Sequence, residues 1–331
     1  MRLLITGATG FLGVATTRAA VASGHEVVAL VRPTARLSDD IWGDEAVTVV
    51  RGDLRQNGPW VAAVQGVDVV VHLAAAASGD LPTQFQGTVL ATENLLRWLD
   101  LREVRRFVHI SSFSVYDFAS IPTNGAVTES SPIEYSPQLR DAYTTTKLLQ
   151  ESIVRTAAQL AECELVVIRP GAIYGPGKDW NFGAAMTIGS SIALVFSPTA
   201  TFRLTYVDNC ADAIIAACSA PAAGQTLNIV DDEMPDHIGF HRACRRAGGT
   251  TAMSIPVPWW LLAAVGRSAK FVDRRFLNGR AKLPEFLAFR RQQARWKPLN
   301  YSNSLAKSTL GWQPSVTLAE GIRRTVGGGD A

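Results

Sequence analysis

Tyr143 and Lys147 stand four residues apart in the run Tyr143-Thr144-Thr145-Thr146-Lys147. On a helix that spacing puts both side chains on one face, roughly 6 Å apart at Cβ. A lysine cation there favours the phenolate, lowers the phenol's pKa toward working pH, and suits the tyrosine to general acid/base work. Ser112, at the end of His109-Ile110-Ser111-Ser112, offers a hydroxyl that holds a substrate oxygen while Tyr143 moves the proton. A Tyr-x-x-x-Lys spacing arises by chance in many helices, so its meaning depends on its surroundings.

The surroundings begin at Thr6-Gly7-Ala8-Thr9-Gly10-Phe11-Leu12-Gly13, with glycines at G-x-x-G-x-x-G spacing. Gly7 permits a tight turn, Gly10 lets backbone approach a pyrophosphate, and Gly13 lets a helix pack on a sheet. The N-terminus of the helix that follows is an anion site. The second strand candidate ends Leu30-Val31-Arg32, with no carboxylate until Asp39. A carboxylate there would accept from a ribose 2′-OH; Arg32 instead pairs with a 2′-phosphate, which points to NADP over NAD. Asp53, in Gly52-Asp53-Leu54, is placed to accept from an adenine amino group, and the small residues of His72-Leu73-Ala74-Ala75-Ala76 leave room for a dinucleotide. Lys147 is then also placed to hydrogen-bond the nicotinamide ribose.

These groups need a frame. Arg2–Thr6, Glu26–Val31, Thr48–Arg51, Val67–Leu73, Phe107–Ser111 and Leu165–Arg169 are short apolar runs of the kind buried on both faces. Helical patterns alternate with them at Phe11–Ala22, Pro59–Val64, Thr88–Asp100 and Pro137–Leu160. Strand–helix alternation of this kind predicts an α/β fold: a doubly wound parallel (Rossmann) sheet over residues 1–170. Residues 171–331 read mainly as a smaller C-terminal α/β substrate lobe, with segments around 202–230 returning to the first domain. Helices are expected there at Asp208–Cys218, Leu305–Leu310 and Leu318–Thr325, and a strand at Gln225–Val230.

Composition excludes several classes. Of 331 residues, 47% are hydrophobic and 18% charged, which rules out wholesale disorder. With 32 Lys and Arg against 29 Asp and Glu there is no electrostatic case for nucleic acid. The basic residues at Arg274, Arg275, Arg280, Arg290 and Arg291 read as a solvated helix face. The four cysteines, Cys163, Cys210, Cys218 and Cys244, form no C-x-x-C pair and read as reduced core thiols. The chain opens directly on a strand without signal-peptide layout, so a cytoplasmic protein is expected. The uncharged run Asn181–Phe202 has too many Gly, Ser and Thr for a lipid-facing span and is expected to be a buried or substrate-facing segment. His237 and His241, four apart, lack a third ligand and read as a surface helix pair, so no metal is expected. Trp259, Trp260, Trp296 and Trp312 read as core.

Taken in order, the glycine loop, the serine-ended strand and Tyr143 to Lys147 resemble the extended short-chain dehydrogenase/reductase family, which contains NAD(P)-dependent epimerases and dehydratases. The resemblance covers nearly the whole chain and includes Val115-Tyr116, Arg169 to Gly177, Tyr206-Val207-Asp208 and Leu310 to Pro314. It implies Ser112, Tyr143 and Lys147 as the catalytic set, with Ser112 four residues before Tyr116. It implies cofactor contacts from Gly7, Thr9, Gly10, Phe11, Leu12, Gly13, Arg32, Asp53, Leu54, Leu73, Ala74, Ala75, Ser111, Tyr143, Lys147, Pro170 and Ile173, the last two against the nicotinamide. It also implies a homodimer built on the helices at Thr88–Asp100 and Pro137–Leu160. The fourth helix departs from the family pattern, with Thr88 and Ala91 where Asn and Gly are usual.

Three functions follow from this reading. One is a dehydrogenase or reductase moving hydride between NADP and a secondary alcohol or ketone. Another is a nucleotide-sugar epimerase or dehydratase, which oxidises its substrate transiently. A third is a non-catalytic NADP-binding protein on the same fold. A sugar nucleotide needs cations for its diphosphate, yet Arg203 sits one place off the family's position and Arg295-Trp296-Lys297-Pro298 lacks the usual Arg-x-Gly-Asp. The apolar run Pro256–Val265 resembles the substrate lobe of the 3β-hydroxysteroid-dehydrogenase-like and dihydroflavonol-reductase-like branches and is expected to wall a hydrophobic ketone. The reductase reading is favoured on those grounds.

Overall fold

The computed structural model describes residues 1–178, 185–188, 191–276 and 287–327. The first half alternates β1 (Arg2–Thr6), α1 (Phe11–Ala22), β2 (Glu26–Val31), β3 (Val47–Arg51), α2 (Trp60–Ala63) and β4 (Val69–His72). It continues with α3 (Leu81–Gln84), α4 (Ala91–Trp98), β5 (Arg106–Ile110), β6 (Ala126–Val127), α5 (Ala142–Leu160) and β7 (Glu164–Pro170). Residues 172–327 add β8 (Ala172–Tyr174), β9 (Ala185–Ile188), β10 (Ile192–Phe196), β11 (Leu204–Tyr206), α6 (Val207–Ala217), β12 (Thr226–Ile229), α7 (His237–Arg246) and β13 (Met253–Val257). Last come α8 (Trp259–Phe276), α9 (Phe289–Trp296), β14 (Asn300–Tyr301), α10 (Ser304–Leu310) and α11 (Leu318–Gly327).

Seven parallel strands form the central sheet in the order β12-β7-β5-β4-β1-β2-β3. The strands are apolar along their length because each face is covered. Leu3, Ile5, Val27, Val69 and Val71 pack into one core with α6 and α10, while Leu4, Val28, Val70 and Phe107 pack into another with Trp60, Leu95 and Val154. The alternation of odd and even positions is the two-residue period of a strand. The doubly wound parallel sheet of the sequence reading is therefore the fold. Strand order reverses between β1 and β4, where a crevice opens at the strands' carboxyl ends. The strand at 226–229 joins the far edge by pairing with β7.

Two helices differ from their sequence patterns. The helical run expected from Thr88 begins at Leu81, capped by Asp80, whose carboxylate accepts from Thr83 N at 3.0 Å. A π-helical turn over Phe85–Leu90 joins α3 to α4. The reason is a close approach: a Cβ on Gly87 would lie 2.8 Å from Ala76 Cβ, and Thr88 Oγ1 accepts from Ala76 N at 2.9 Å. The run expected from Pro137 splits into a 3-10 turn, Pro137–Leu139, and then α5, because Asp141 caps a new helix through Thr144 N at 2.7 Å.

The three-stranded sheet β13-β10-β9, with α7 to α9, forms a lobe beyond the main sheet. Part of Asn181–Phe202 lies outside the described residues; within the rest, Ala193, Val195 and Phe196 of β10 are buried. His237 is not on the surface as its helical pattern suggested. It is 3% exposed, and its Nδ1 hydrogen-bonds to Phe196 O at 2.8 Å. Trp260 likewise departs from the core reading and is exposed, whereas Trp296 and Trp312 are buried. All four cysteines are free thiols.

Candidate active site

The glycine loop is shaped by contacts that a side chain would break. Gly7 has φ +70°, and a Cβ on it would lie 2.9 Å from Ala74 N. Gly10, in extended conformation, caps α1 without a side-chain hydrogen bond, so the helix's first N–H groups stay free for an anion. A Cβ on Gly13 would sit 2.2 Å from Gly7 O, so Gly13 serves helix–loop packing.

Beside this loop a cleft of about 510 Å³ follows the switch point. Of the residues expected to contact a cofactor, Gly7, Thr9, Gly10, Arg32, Asp53, Leu54, Leu73, Ala74 and Ala75 line it. Phe11, Leu12 and Gly13 do not. Phe11 and Leu12 pack against the core around Tyr174 and Tyr206, and Lys178 Nζ lies 5.2 Å from the Phe11 ring centroid. Arg55 lines the cleft and was missed by the motif reading. It forks onto Asp53, with Nη2 2.6 Å from Oδ2 and Nε 3.0 Å from Oδ1. That fork is the main cause holding the Asp53 carboxyl below its ordinary pKa. An adenine amino group would thus meet a carboxylate already fixed in place. The tight turn, the bare helix end and the cleft's small lining fit a dinucleotide.

Tyr143 rises from the first turn of α5 and Ser112 from the loop after β5. The Tyr143 and Ser112 side chains share a hydrogen bond, and Ser112 Oγ also accepts from Ser114 N at 3.1 Å. The sequence reading gave Lys147 the task of acidifying Tyr143; the structure corrects this. Burial holds the Tyr143 pKa above its ordinary value, only partly offset by the Ser112 bond. Lys147 Nζ is turned to Ile110 O (2.6 Å) and Gln150 Oε1 (2.7 Å), and burial lowers its own pKa to about 7. Desolvation disfavours the charged ammonium, and the nearby Glu151 carboxylate offsets it only in part.

This has a thermodynamic consequence. The folded protein releases the Lys147 proton near pH 7, whereas an unfolded chain keeps it to about 10.5. Between those values the unfolded state binds more protons, so this residue makes stability rise with pH. Urea melts at pH 7 and pH 9 should show that gain in the native sequence and its loss in Lys147→Met. An unchanged gain in the variant would assign it elsewhere.

Two buried networks hold these groups. His72, kept neutral by burial that lowers its pKa to about 3, hydrogen-bonds to Thr6 Oγ1 at 2.7 Å and Thr92 Oγ1 at 2.8 Å. Gln150 Nε2 joins this group through Thr92 Oγ1 at 2.9 Å and Ala74 O at 3.0 Å, tying the lysine to the strand end behind the glycine loop. In the second network Glu151 accepts from Arg169 Nη2 and Ser111 Oγ, each at 2.6 Å. Ser111, expected among the cofactor contacts, is 2% exposed, with its hydroxyl committed to Glu151 and its backbone N–H donating to Ile168 O at 2.7 Å. Arg169 also lies over Tyr116, 4.8 Å from the ring centroid. Pro170 is buried and Ile173 half-buried beyond it, and the backbone of Gly171 and Ala172 lies against Arg203 O.

The apolar run Pro256–Val265 is not a continuous wall. Leu262 packs with Phe196 and Trp296, whereas Trp260 is 69% exposed and Leu261 and Val265 are each 41% exposed. Among the described residues no group of three or more His, Cys, Asp or Glu could hold a metal ion, and no helix is long and apolar enough to cross a membrane.

The sheet order, the switch-point cleft and the Ser112–Tyr143 pair define an enzyme of the short-chain dehydrogenase/reductase type. The chain belongs to the NAD dependent epimerase/dehydratase family, whose model matches residues 3–230. It is 29% identical to a 2-alkyl-3-oxoalkanoate reductase of Stenotrophomonas maltophilia (strain K279a), over 98% of each chain. It is 28% identical to a UDP-glucose 4-epimerase of Vibrio cholerae, over 98% of this chain and 94% of the other. A solved UDP-glucuronic acid 4-epimerase from Bacillus cereus in complex with NAD shares the fold, with TM-score 0.72 and 21% identity over 99% of this chain and 98% of that one. The chain is thus an extended short-chain dehydrogenase/reductase, an enzyme of nicotinamide-dependent chemistry on a small molecule.

Proposed function

We propose that this enzyme is an NADP-dependent oxidoreductase that interconverts a ketone and a secondary alcohol. A bound nicotinamide supplies or accepts the hydride. Tyr143 keeps its proton at neutral pH because burial raises its pKa, so it donates to the ketone oxygen as hydride arrives and takes the proton back in the reverse direction. Ser112 orients that oxygen, and Lys147 holds the ribose with the N–H left over from Ile110 and Gln150.

The choice of reductase over sugar-nucleotide epimerase rests on where the cations of this lobe are spent. Arg203 lies 5.0 Å from the Phe118 ring centroid and 3.3 Å from Tyr301 Oη, and Lys297 Nζ donates to the Phe118 and Ile121 carbonyls. Lys297 is buried on those carbonyls, and Arg203, half-buried, is turned to the Phe118 and Tyr301 side chains. The 2-alkyl-3-oxoalkanoate reductase relative supports the same reading. The epimerase relatives make transient oxidation of a nucleotide sugar the second reading. Incubating the enzyme with NADPH and a panel of hydrophobic ketones should give steady NADPH consumption. Isomerisation of a nucleotide sugar without net consumption would overturn the assignment.

The NADP preference rests on Arg32, exposed at the cleft rim and close enough to Asp53 to stabilise its carboxylate. Arg32→Asp removes a cation and adds an anion where a 2′-phosphate would lie. The NADP to NAD ratio of kcat/KM should fall by roughly 10-fold to 100-fold, the worth of one charge-assisted hydrogen bond. An unchanged ratio would discard the assignment. The homodimer belongs to the same proposal: Leu90 beside α4, and Leu149 and Leu160 of α5, are exposed apolar side chains on the two helical runs expected to pair.

A further inference from the structure

The outer face of α8 carries an unusual load of apolar surface. Trp260, Phe271 and Phe276 are 69%, 66% and 68% exposed, and Leu261, Val265 and Val272 are also exposed. At helical spacing Trp260 and Phe271 share one ridge, and Leu261, Val265, Val272 and Phe276 share the next. The opposite side of the helix is buried through Leu262 and Ala263. β13, which leads into α8, adds exposed Met253 and Ile255. Contiguous apolar surface of this kind marks a docking face.

Charge decides the occupant. Residues 259–276, the helix itself, contain four Lys and Arg and one acidic residue, Asp273. The helix thus carries a net +3, equal to the net charge of the whole chain, so the remainder is balanced and the excess positive charge sits on the element that presents the apolar ridges. Exposed Arg267 flanks the Trp260 ridge, and exposed Arg275 sits between the two ridges, its guanidinium 5.5 Å from the Phe276 ring centroid. A second copy of this chain meeting the face symmetrically would set like charge against like. An anionic phospholipid surface satisfies both halves of the pattern, with apolar side chains among acyl chains and arginines at phosphates.

We infer that α8 docks the enzyme flat on an anionic membrane surface without spanning it. The test is flotation of the full-length protein with vesicles of phosphatidylcholine alone or with about a third phosphatidylglycerol. Binding should be roughly tenfold or more stronger to the anionic vesicles and should fall with added salt. The double variant Phe271→Glu with Val272→Glu should lose vesicle binding while keeping its melting temperature. Arg267→Gln with Arg275→Gln, both at exposed positions, should lose the preference for anionic lipid. The inference is overturned if the native protein floats with neither vesicle, if both variants float as it does, or if Phe271→Glu with Val272→Glu instead dissociates a dimer that never bound vesicles.

Discussion

Tyr143→Phe should lower kcat/KM for ketone reduction by roughly 10²-fold to 10⁴-fold, the range for removal of a positioned general acid. The substitution deletes one oxygen from a half-buried side chain whose hydroxyl interacts with the Ser112 side chain. Dinucleotide affinity should change by less than about tenfold, because at most one neutral hydrogen bond to the cofactor is lost. Stopped-flow hydride transfer and a separate binding titration distinguish the two effects. Equal losses in both would make Tyr143 a cofactor ligand and not the proton donor. Since burial raises the phenol's pKa, the native enzyme should hold its reductive rate constant through neutral pH, with no decline assignable to a tyrosinate there.

Glu151→Ala should destabilise the protein by about 3–5 kcal/mol, the cost of stranding a buried charge. The side chains of Glu151 and Arg169 are 8% and 5% exposed, so solvent screens the pair little. Removing the carboxylate leaves Arg169 facing Tyr116 and frees the Ser111 hydroxyl inside the sheet. Burial alone would raise the Glu151 pKa, but the Arg169 hydrogen bonds and charge, the Ser111 hydroxyl and Arg155 together outweigh it and hold the value below the ordinary one. The stability from this carboxylate is therefore present above the unfolded value, about 4.3, and is lost as pH falls through the lower folded value. Denaturant melts across the acid range should show that loss in the native sequence and a flatter profile in Glu151→Ala. A variant within about 1 kcal/mol of the native protein would show that Arg169 finds another partner.

Much of this frame is legible in the sequence alone. The sheet was legible because its strands are apolar on both faces, as Leu3, Leu4 and Ile5 illustrate by dividing between two cores. Glycine spacing located the tight loop between β1 and α1 because Gly7 and Gly13 tolerate no Cβ. What failed to show was tertiary. The π-helical turn depends on Gly87 meeting Ala76, and the break before α5 on Asp141 capping a fresh helix. Motif spacing put Lys147 beside Tyr143 but carried no information on Ile110 O and Gln150, which take its N–H groups. Arg55 lies only two residues beyond Asp53, a spacing that announces nothing until the turn folds the guanidinium back onto the carboxylate. The apolar run at Pro256–Val265 misled for a related reason, because periodicity cannot say that one side of a helix meets Trp296 and the other meets solvent.

The most direct test is a crystal structure of the enzyme with NADP and a ketone it reduces. The Tyr143 hydroxyl and the Ser112 hydroxyl should both lie about 2.6–3.2 Å from the ketone oxygen, with the 2′-phosphate at Arg32. A ketone bound with its oxygen away from Tyr143, or a dinucleotide seated outside the Gly7–Gly13 cleft, would contradict the account.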